Sequence, residues 1–278
     1  MARLAYLFDS SKCMGCHGCQ VSCKQWNEEK AVKTHFAGSF QNPPTLSKDT
    51  RMIMRFYENF EKDTIPQLNI LKYQCFHCGE PACVKVCPSG ALTKTSTGII
   101  AMDQRKCIAC GYCHNACPYN IPEIGEHVNK CDMCFSRTES GNDNDKTSTP
   151  ACVKACPAGA MEFGDRDALI AKANSRVEWM KGRGISTANV YGDQILGGLG
   201  VISILKAEPT KYGLPVNPSV PVEVTIWKDV LNPLGLLAFV GAFCVAGFKH
   251  FLALKQKAID EQKGINHDET HKGKGVDQ

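Results

Sequence analysis

Cys75-Phe76-His77-Cys78-Gly79-Glu80-Pro81-Ala82-Cys83-Val84-Lys85-Val86-Cys87-Pro88 is joined by a link ending at Lys106 to Cys107-Ile108-Ala109-Cys110-Gly111-Tyr112-Cys113-His114-Asn115-Ala116-Cys117-Pro118. The first run has the rhythm C-x2-C-x4-C-x3-C-P and the second C-x2-C-x2-C-x3-C-P. Working outward, Cys13, Cys16, Cys19 and Cys23 repeat the second rhythm without the proline. On the other side Cys131 and Cys134 are separated by 17 residues from Cys152 and Cys156, which close on Pro157. All but one of the 17 cysteines of the 278-residue chain fall into these four groups.

Three chemistries use cysteine this densely. A disulfide framework suits small secreted domains, but its spacings are irregular and rarely end in Cys-Pro. Structural zinc uses C-x2-C pairs divided by longer gaps, and the fourth group taken alone fits that pattern. A cubane iron–sulfur cluster is held by a compact cysteine triplet plus a remote fourth cysteine before proline, the pattern of the other groups. The cubane reading predicts four [4Fe–4S] clusters, with the sixteen cysteines as iron ligands.

Each two-residue spacer lets the chain turn so that successive sulfurs aim inward, and the small spacers Gly15, Gly18, Ala109 and Gly111 let backbone N–H groups approach the sulfides. The fourth cysteine of each run sits about one helical turn onward; in two-cluster ferredoxins it ligates the neighbouring cluster. On that logic Cys75, Cys78 and Cys83 share a cluster with Cys117, while Cys107, Cys110 and Cys113 share one with Cys87. The outer runs then pair: Cys13, Cys16 and Cys19 with Cys156, and Cys131, Cys134 and Cys152 with Cys23. The echo of Cys87-Pro88-Ser89-Gly90-Ala91 in Cys156-Pro157-Ala158-Gly159-Ala160 supports an internal duplication. The expected fold is α+β: one two-cluster, bacterial ferredoxin-like domain nested inside a duplicate, with extra loops and one C-terminal transmembrane helix.

The net charge of +4 gives no reason to expect nucleic acid as a partner. Hydrophobic residues make up 43% of the chain, cysteines included, so bound metal must supply part of the folding free energy. Leu4 to Phe8 reads as a first strand, and residues 2–12 hold neither a signal peptide nor a twin arginine. Residues 31–70 read as a surface loop plus strand, with packing on a partner subunit as the sharper reading. Gly98 to Asp103 reads as part of a short hairpin, and 138–150, rich in Ser, Asn, Asp and Thr, as an exposed loop. Leu169, Ile170, Ala173, Val177 and Met180 recur at helical spacing over 166–185, and Gly197 to Leu205 reads as a buried strand. His17, His77 and His114 read as packing or potential-tuning residues beside the clusters. No activated nucleophile, phosphate loop or flavin fingerprint appears, so the chain reads as a non-catalytic subunit.

Val230 to Phe248 carries no charge, and from Asn232-Pro233 a helix reaching Leu254 would span roughly 33 Å at about 1.5 Å per residue. Trp227 stands where an interfacial anchor belongs. A buried core helix is the alternative. The expected layout is a four-cluster domain at 1–165, an extension packing on it and on partners at 166–228, a transmembrane helix at 229–254 and a polar cytoplasmic tail at 255–278. Lys249, Lys255, Lys257 and Lys263 follow the helix, against Lys211 and Lys228 before it. This excess predicts a single-pass cell-membrane protein with its clusters on the periplasmic, outer face. A partner bearing its own export signal would carry the folded complex across. Cys244 reads as a packed thiol and His250 as an interfacial histidine, with a haem or quinone role as the alternative.

The order of the four motifs, with the wide gap in the last, resembles the four-cluster iron–sulfur subunits of molybdopterin oxidoreductases of the DMSO reductase type over residues 1–165. Some relatives replace a cysteine of the third motif and hold a three-iron cluster; with Cys107 intact, the resemblance implies four cubanes. Tyr191-Gly192-Asp193-Gln194-Ile195-Leu196-Gly197-Gly198, Tyr212-Gly213-Leu214-Pro215-Val216-Asn217-Pro218, Trp227-Lys228 and the single helix resemble beta subunits of membrane-bound formate dehydrogenase. That implies a catalytic alpha subunit with molybdenum or tungsten bis-pterin, a membrane cytochrome b gamma subunit, and electron flow from formate to haem and quinone. The alternative is the same electron wire serving a hydrogenase or another molybdopterin oxidoreductase.

Overall fold

Strand formation starts at Leu4–Asp9 (β1), an apolar run buried from Ala5 onward. The computed structural model describes residues 2–36, 38–59, 67–138 and 149–272. After β1 come helix α1 (Gly18–Trp26) and the strands β2 (Met52–Asn59) and β3 (Gln67–Gln74). Then follow α2 (Ala82–Lys85), β4 (Leu92–Lys94), β5 (Ile100–Met102), α3 (Tyr112–Asn115), β6 (Glu123–Ile124), β7 (Val128–Asn129), α4 (Phe135–Thr138) and α5 (Ala151–Lys154). The chain continues with β8 (Met161–Asp165), α6 (Arg166–Lys181), β9 (Asn189–Tyr191), β10 (Val201–Leu205), α7 (Val222–Thr225) and α8 (Asn232–Lys272). Residues Met1–Val224 form one compact unit and Thr225–Gln278 a second.

The main sheet of the first unit has the order β8-β1-β10-β9. β1 runs parallel to β10, with Tyr6 opposite Val201, and antiparallel to β8, with Tyr6 opposite Phe163. All five residues of β10 are buried, as a strand covered on both faces requires. One face is covered by α6, whose Leu169, Ala173, Val177 and Met180 pack on Ala5, Leu7, Ile202 and Ile204. α6 starts sharply because the Asp165 carboxylate accepts from the N–H groups of Asp167 and Ala168 at 3.1 and 3.0 Å, capping two orphan donors. Residues 166–228, expected as an extension, thus supply two strands and the covering helix of the sheet that β1 and β8 begin.

β2 and β3 form an antiparallel hairpin in which Met54 stands opposite Lys72. Met52, Ile53 and Met54 are at most 2% exposed. The strand read within 31–70 is therefore part of the chain's own core, and the loop before it remains largely exposed. The core joins Tyr6, Phe8, Phe76 and Tyr119 to Cys19, Cys23, Cys75, Cys131 and Cys152, so thiols stand where a larger domain would carry aliphatic side chains. Leu92–Lys94 pairs antiparallel with Ile100–Met102, the hairpin read around Gly98. The polar insertion read at 138–150 lies, over 139–148, outside the described residues; its ends Thr138 and Pro150 are buried.

In the second unit a π-helical turn, Ile226–Leu231, leads into α8. Leu237–Lys257, with mean hydropathy 1.8 and none of it buried, is long and apolar enough to cross a membrane. Helical geometry continues beyond 254 to Lys272.

Candidate iron–sulfur centres

The same backbone device opens all four cysteine runs. The residue just before the second cysteine is left-handed in each: Gly15 (φ 69°), His77 (φ 50°), Ala109 (φ 54°) and Met133 (φ 55°). Three of these are not glycine, a conformation that costs each about 1–2 kcal/mol and persists only where the surroundings over-determine it. At Gly15 a Cβ would lie 2.8 Å from Cε1 of Phe56, so any side chain there would force the ring to shift. This turn points backbone N–H groups at sulfur. Ala109 donates to Cys107 Sγ at 3.4 Å, Val128 to the same sulfur at 3.2 Å, Met133 to Cys131 Sγ at 3.4 Å and Ala160 to Cys156 Sγ at 3.3 Å.

A short helix then carries the third cysteine of each run as its second residue: Cys19 in α1, Cys83 in α2, Cys113 in α3 and Cys152 in α5. The fourth cysteine follows four residues later. One signal the cysteine spacing did not use is the repetition of Pro81-Ala82-Cys83-Val84-Lys85 as Pro150-Ala151-Cys152-Val153-Lys154, which builds α2 and α5 alike.

Twelve of the sixteen sulfurs line three cavities, four to each, and the remaining four interact with one another. Cys13, Cys16, Cys19 and Cys156 line one cavity, with about 330 Å³ of atom-free space. Cys23, Cys131, Cys134 and Cys152 line a second of about 340 Å³, together with Tyr6, Arg51 and Gln74. Cys87, Cys107, Cys110 and Cys113 line a third of about 300 Å³. Cys75, Cys78, Cys83 and Cys117 make the fourth set: burial, then repulsion from Cys75, Cys117 and Cys83, pushes the Cys78 thiol far up. Chain continuity makes neighbours of the sets. α1 holds Cys19 of the first and Cys23 of the second, and Gln74, lining the second, precedes Cys75 of the fourth.

The sets fit a multi-iron cluster better than the other two chemistries. All 17 cysteines are free of disulfides. Among the described residues no three His, Cys, Asp or Glu side chains converge closely enough for a single metal ion. Burial pushes the Cys19 and Cys23 thiols up to about 12, and those of Cys113, Cys117 and Cys134 up to about 11, with neighbouring sulfurs adding to the effect. A bound cationic core offsets the mutual repulsion of four thiolates held this close.

Of the three histidines beside the runs, His77 is fully buried and its Nδ1 accepts from the Ile100 N–H at 2.9 Å, tying this loop to β5. The Gly200 N–H donates to the His77 carbonyl at 2.9 Å, and a Cβ on Gly79 would sit 1.9 Å from the Gly197 carbonyl oxygen. The glycine-rich approach to β10 thus clamps the cysteine loop directly. His114 Nδ1 pairs with the Pro122 carbonyl at 2.7 Å, and His17 packs on Phe56 with ring centroids 5.3 Å apart. Cys244 and His250 lie on α8, and both are exposed.

Comparison with known proteins agrees with this chemistry. Family models described as 4Fe-4S dicluster domains match residues 66–166 and 12–91, and one described as formate dehydrogenase N, transmembrane, matches residues 220–258. The nitrate-inducible formate dehydrogenase iron–sulfur subunit of Escherichia coli is 36% identical over 96% of this chain and 91% of its own length. The formate dehydrogenase iron–sulfur subunit of Haemophilus influenzae is 37% identical over 95% of this chain and 85% of its own. The B subunit of the anaerobic dimethyl sulfoxide reductase of H. influenzae is 35% identical over 62% of this chain and 78% of its own. Cys-rich loops that bind 4Fe-4S clusters and a membrane-anchoring helix at the C-terminal end place this electron-transfer chain in the family of formate dehydrogenase iron–sulfur subunits.

Proposed function

We propose that the chain holds four [4Fe–4S] clusters, one in each set of four cysteines, and passes electrons from a formate-oxidising molybdopterin alpha subunit to a quinone-reducing cytochrome b gamma subunit in the membrane. The observation that carries this reading is the gathering of twelve of the sixteen cysteines, four at a time, around three cavities. Bound clusters supply one-electron carriers; the chain supplies their spacing, burial and hydrogen bonding. Exposure supports a terminal role for two sets. Cys16 and Cys110 are exposed, next to the exposed apolar Met14 and Ile108 respectively, whereas every cysteine of the set around Cys131 is buried. Electrons thus have two surface ports and an insulated interior.

The match at 220–258 favours a formate dehydrogenase over other molybdopterin enzymes, since the dimethyl sulfoxide reductase relative aligns with only 62% of this chain. The lysine excess toward the C-terminal end of α8 supports a cytoplasmic tail, with the cluster-bearing unit on the outer face. Anaerobic purification in mild detergent tests the whole reading. It is expected to yield about sixteen irons per chain, a copurifying pterin subunit that oxidises formate, and a haem-bearing membrane subunit. A nickel–iron partner oxidising hydrogen would refute the formate assignment, and colourless zinc protein the cluster assignment.

A further inference from the structure

Lys72 occupies the middle of β3, where an ammonium group is least expected, and is 1% exposed. It donates to the Tyr6 hydroxyl at 3.0 Å and to the Gln74 side-chain oxygen, and its Nζ lies 4.5 Å from the centre of the Tyr6 ring. Both partners are neutral, and both line the cavity of Cys23, Cys131, Cys134 and Cys152. Among the described residues no carboxylate forms an ion pair with Lys72.

Arg51, the cation that lines that cavity itself, is in a different position. It pairs with Glu29 at 2.6 Å and Asp132 at 3.3 Å, so two carboxylates already offset its charge. A buried charge without such compensation is costly, and among the described residues the groups on hand to balance Lys72 are the sulfurs. Burial works against protonation of Lys72 and the nearby Cys152, Tyr6, Cys131 and Cys19 work for it, with the net direction upward. Cys131 and Cys152 belong to the cavity that Tyr6 and Gln74 line. Cys19 belongs to the neighbouring set and touches Met54, opposite Lys72, with its sulfur 3.4 Å from Met54 Sδ.

We propose that Lys72 is a potential-setting residue, its fixed positive charge favouring the reduced state of the cluster held by Cys23, Cys131, Cys134 and Cys152. The proposal rests on the four-cluster reading above. Reduction there adds one electron from a neighbouring cluster; no bond forms or breaks and no proton moves, because the lysine is charged in both states. The added negative charge falls in a site of low dielectric, where a nearby cation acts more strongly than in water. Net charge is among the factors that set cluster potentials. Lys72 therefore makes this buried set a better electron acceptor than its seclusion alone would allow.

An anaerobic redox titration followed by electron paramagnetic resonance on the intact complex tests this. The signal belonging to the set is assigned beforehand as the one that Cys23→Ser perturbs. In Lys72→Met the reduced-to-oxidised ratio of that cluster at fixed potential is expected to fall at least tenfold, which is about 59 mV for a one-electron couple. The two clusters of Cys75 to Cys117 are expected to change less than threefold. Tyr6→Phe, which keeps the charge, is expected to stay within threefold at every cluster. An unchanged signal, or an equal shift of all four, would overturn the proposal. Should Lys72→Met lose iron, Lys72→Arg takes its place and is expected to keep four signals at unaltered potentials; iron loss there too would assign Lys72 to packing and overturn the electrostatic role. Failure to find four clusters in the unmodified complex would instead refute the underlying reading, before any variant is made.

Discussion

Cys19 and Cys23 are four residues apart on α1, yet their sulfurs open into different cavities, one shared with Cys156 and the other with Cys131, Cys134 and Cys152. A single helical turn is thus a bridge between two sets. Cys23→Ser is expected to disturb the cluster of Cys131, Cys134 and Cys152 and to leave that of Cys13, Cys16 and Cys19 in place; low-temperature spectroscopy of the variant reads this, and loss confined to the latter would contradict it. The cysteines were legible because their spacing is the chemistry. Lys72 was not: a lysine beside Leu71 and Tyr73 reads as one polar residue in a strand, and only the tertiary placement of Tyr6 and Gln74, the first 66 residues away in sequence, gives it a role. The left-handed turns were legible at Gly15 but hidden at His77 and Met133, whose side chains give no sign of the conformation that the sulfur-binding loop imposes.

At the scale of elements, α6 shows what periodicity delivers. Four of the five residues singled out at helical spacing are buried against β1 and β10, while Ile170 sits at the margin. Ala173 is fully buried where the helix meets the sheet. Ala173→Leu is therefore expected to destabilise the unit by about 1–3 kcal/mol through overpacking, lowering the unfolding temperature measured by circular dichroism. The iron content of the folded fraction should not change, since no cysteine lines that contact. The β2–β3 hairpin shows where pattern reading stops. Met52-Ile53-Met54 looks like any half-buried strand, and nothing local says that both its faces are covered, by cysteine loops far apart in sequence.

The whole molecule divides at Val224, and each part has its own means of staying folded. The first has a sheet, a covering helix and the sulfur-rich core; the second is an apolar helix whose exposed side chains suit lipid. A chain ending at Val224 is expected to leave the membrane fraction while keeping its iron-to-protein ratio within about a factor of two, as metal analysis of the soluble fraction would show; loss of iron on truncation would mean that the core depends on the helix. The anchor was legible because a charge-free stretch of 19 residues has few other uses, whereas the sheet order was not, because parallel pairing of β1 with β10 joins residues nearly two hundred positions apart.

That pairing, with Cys13 and Cys156 at one cavity, imposes a timetable on biosynthesis. The sets drawn from Cys75 to Cys117 have every sulfur available once the nascent chain has emerged past residue 117. The set containing Cys13 waits, open on one side, until Cys156 appears, and β1 finds its parallel neighbour only after Leu205. Closing so long a loop is slow, and it leaves thiols and apolar strand edges exposed meanwhile. The N-terminal cysteines, made first, are therefore the last to be enclosed, and during that interval the unfinished polypeptide is most vulnerable to oxygen.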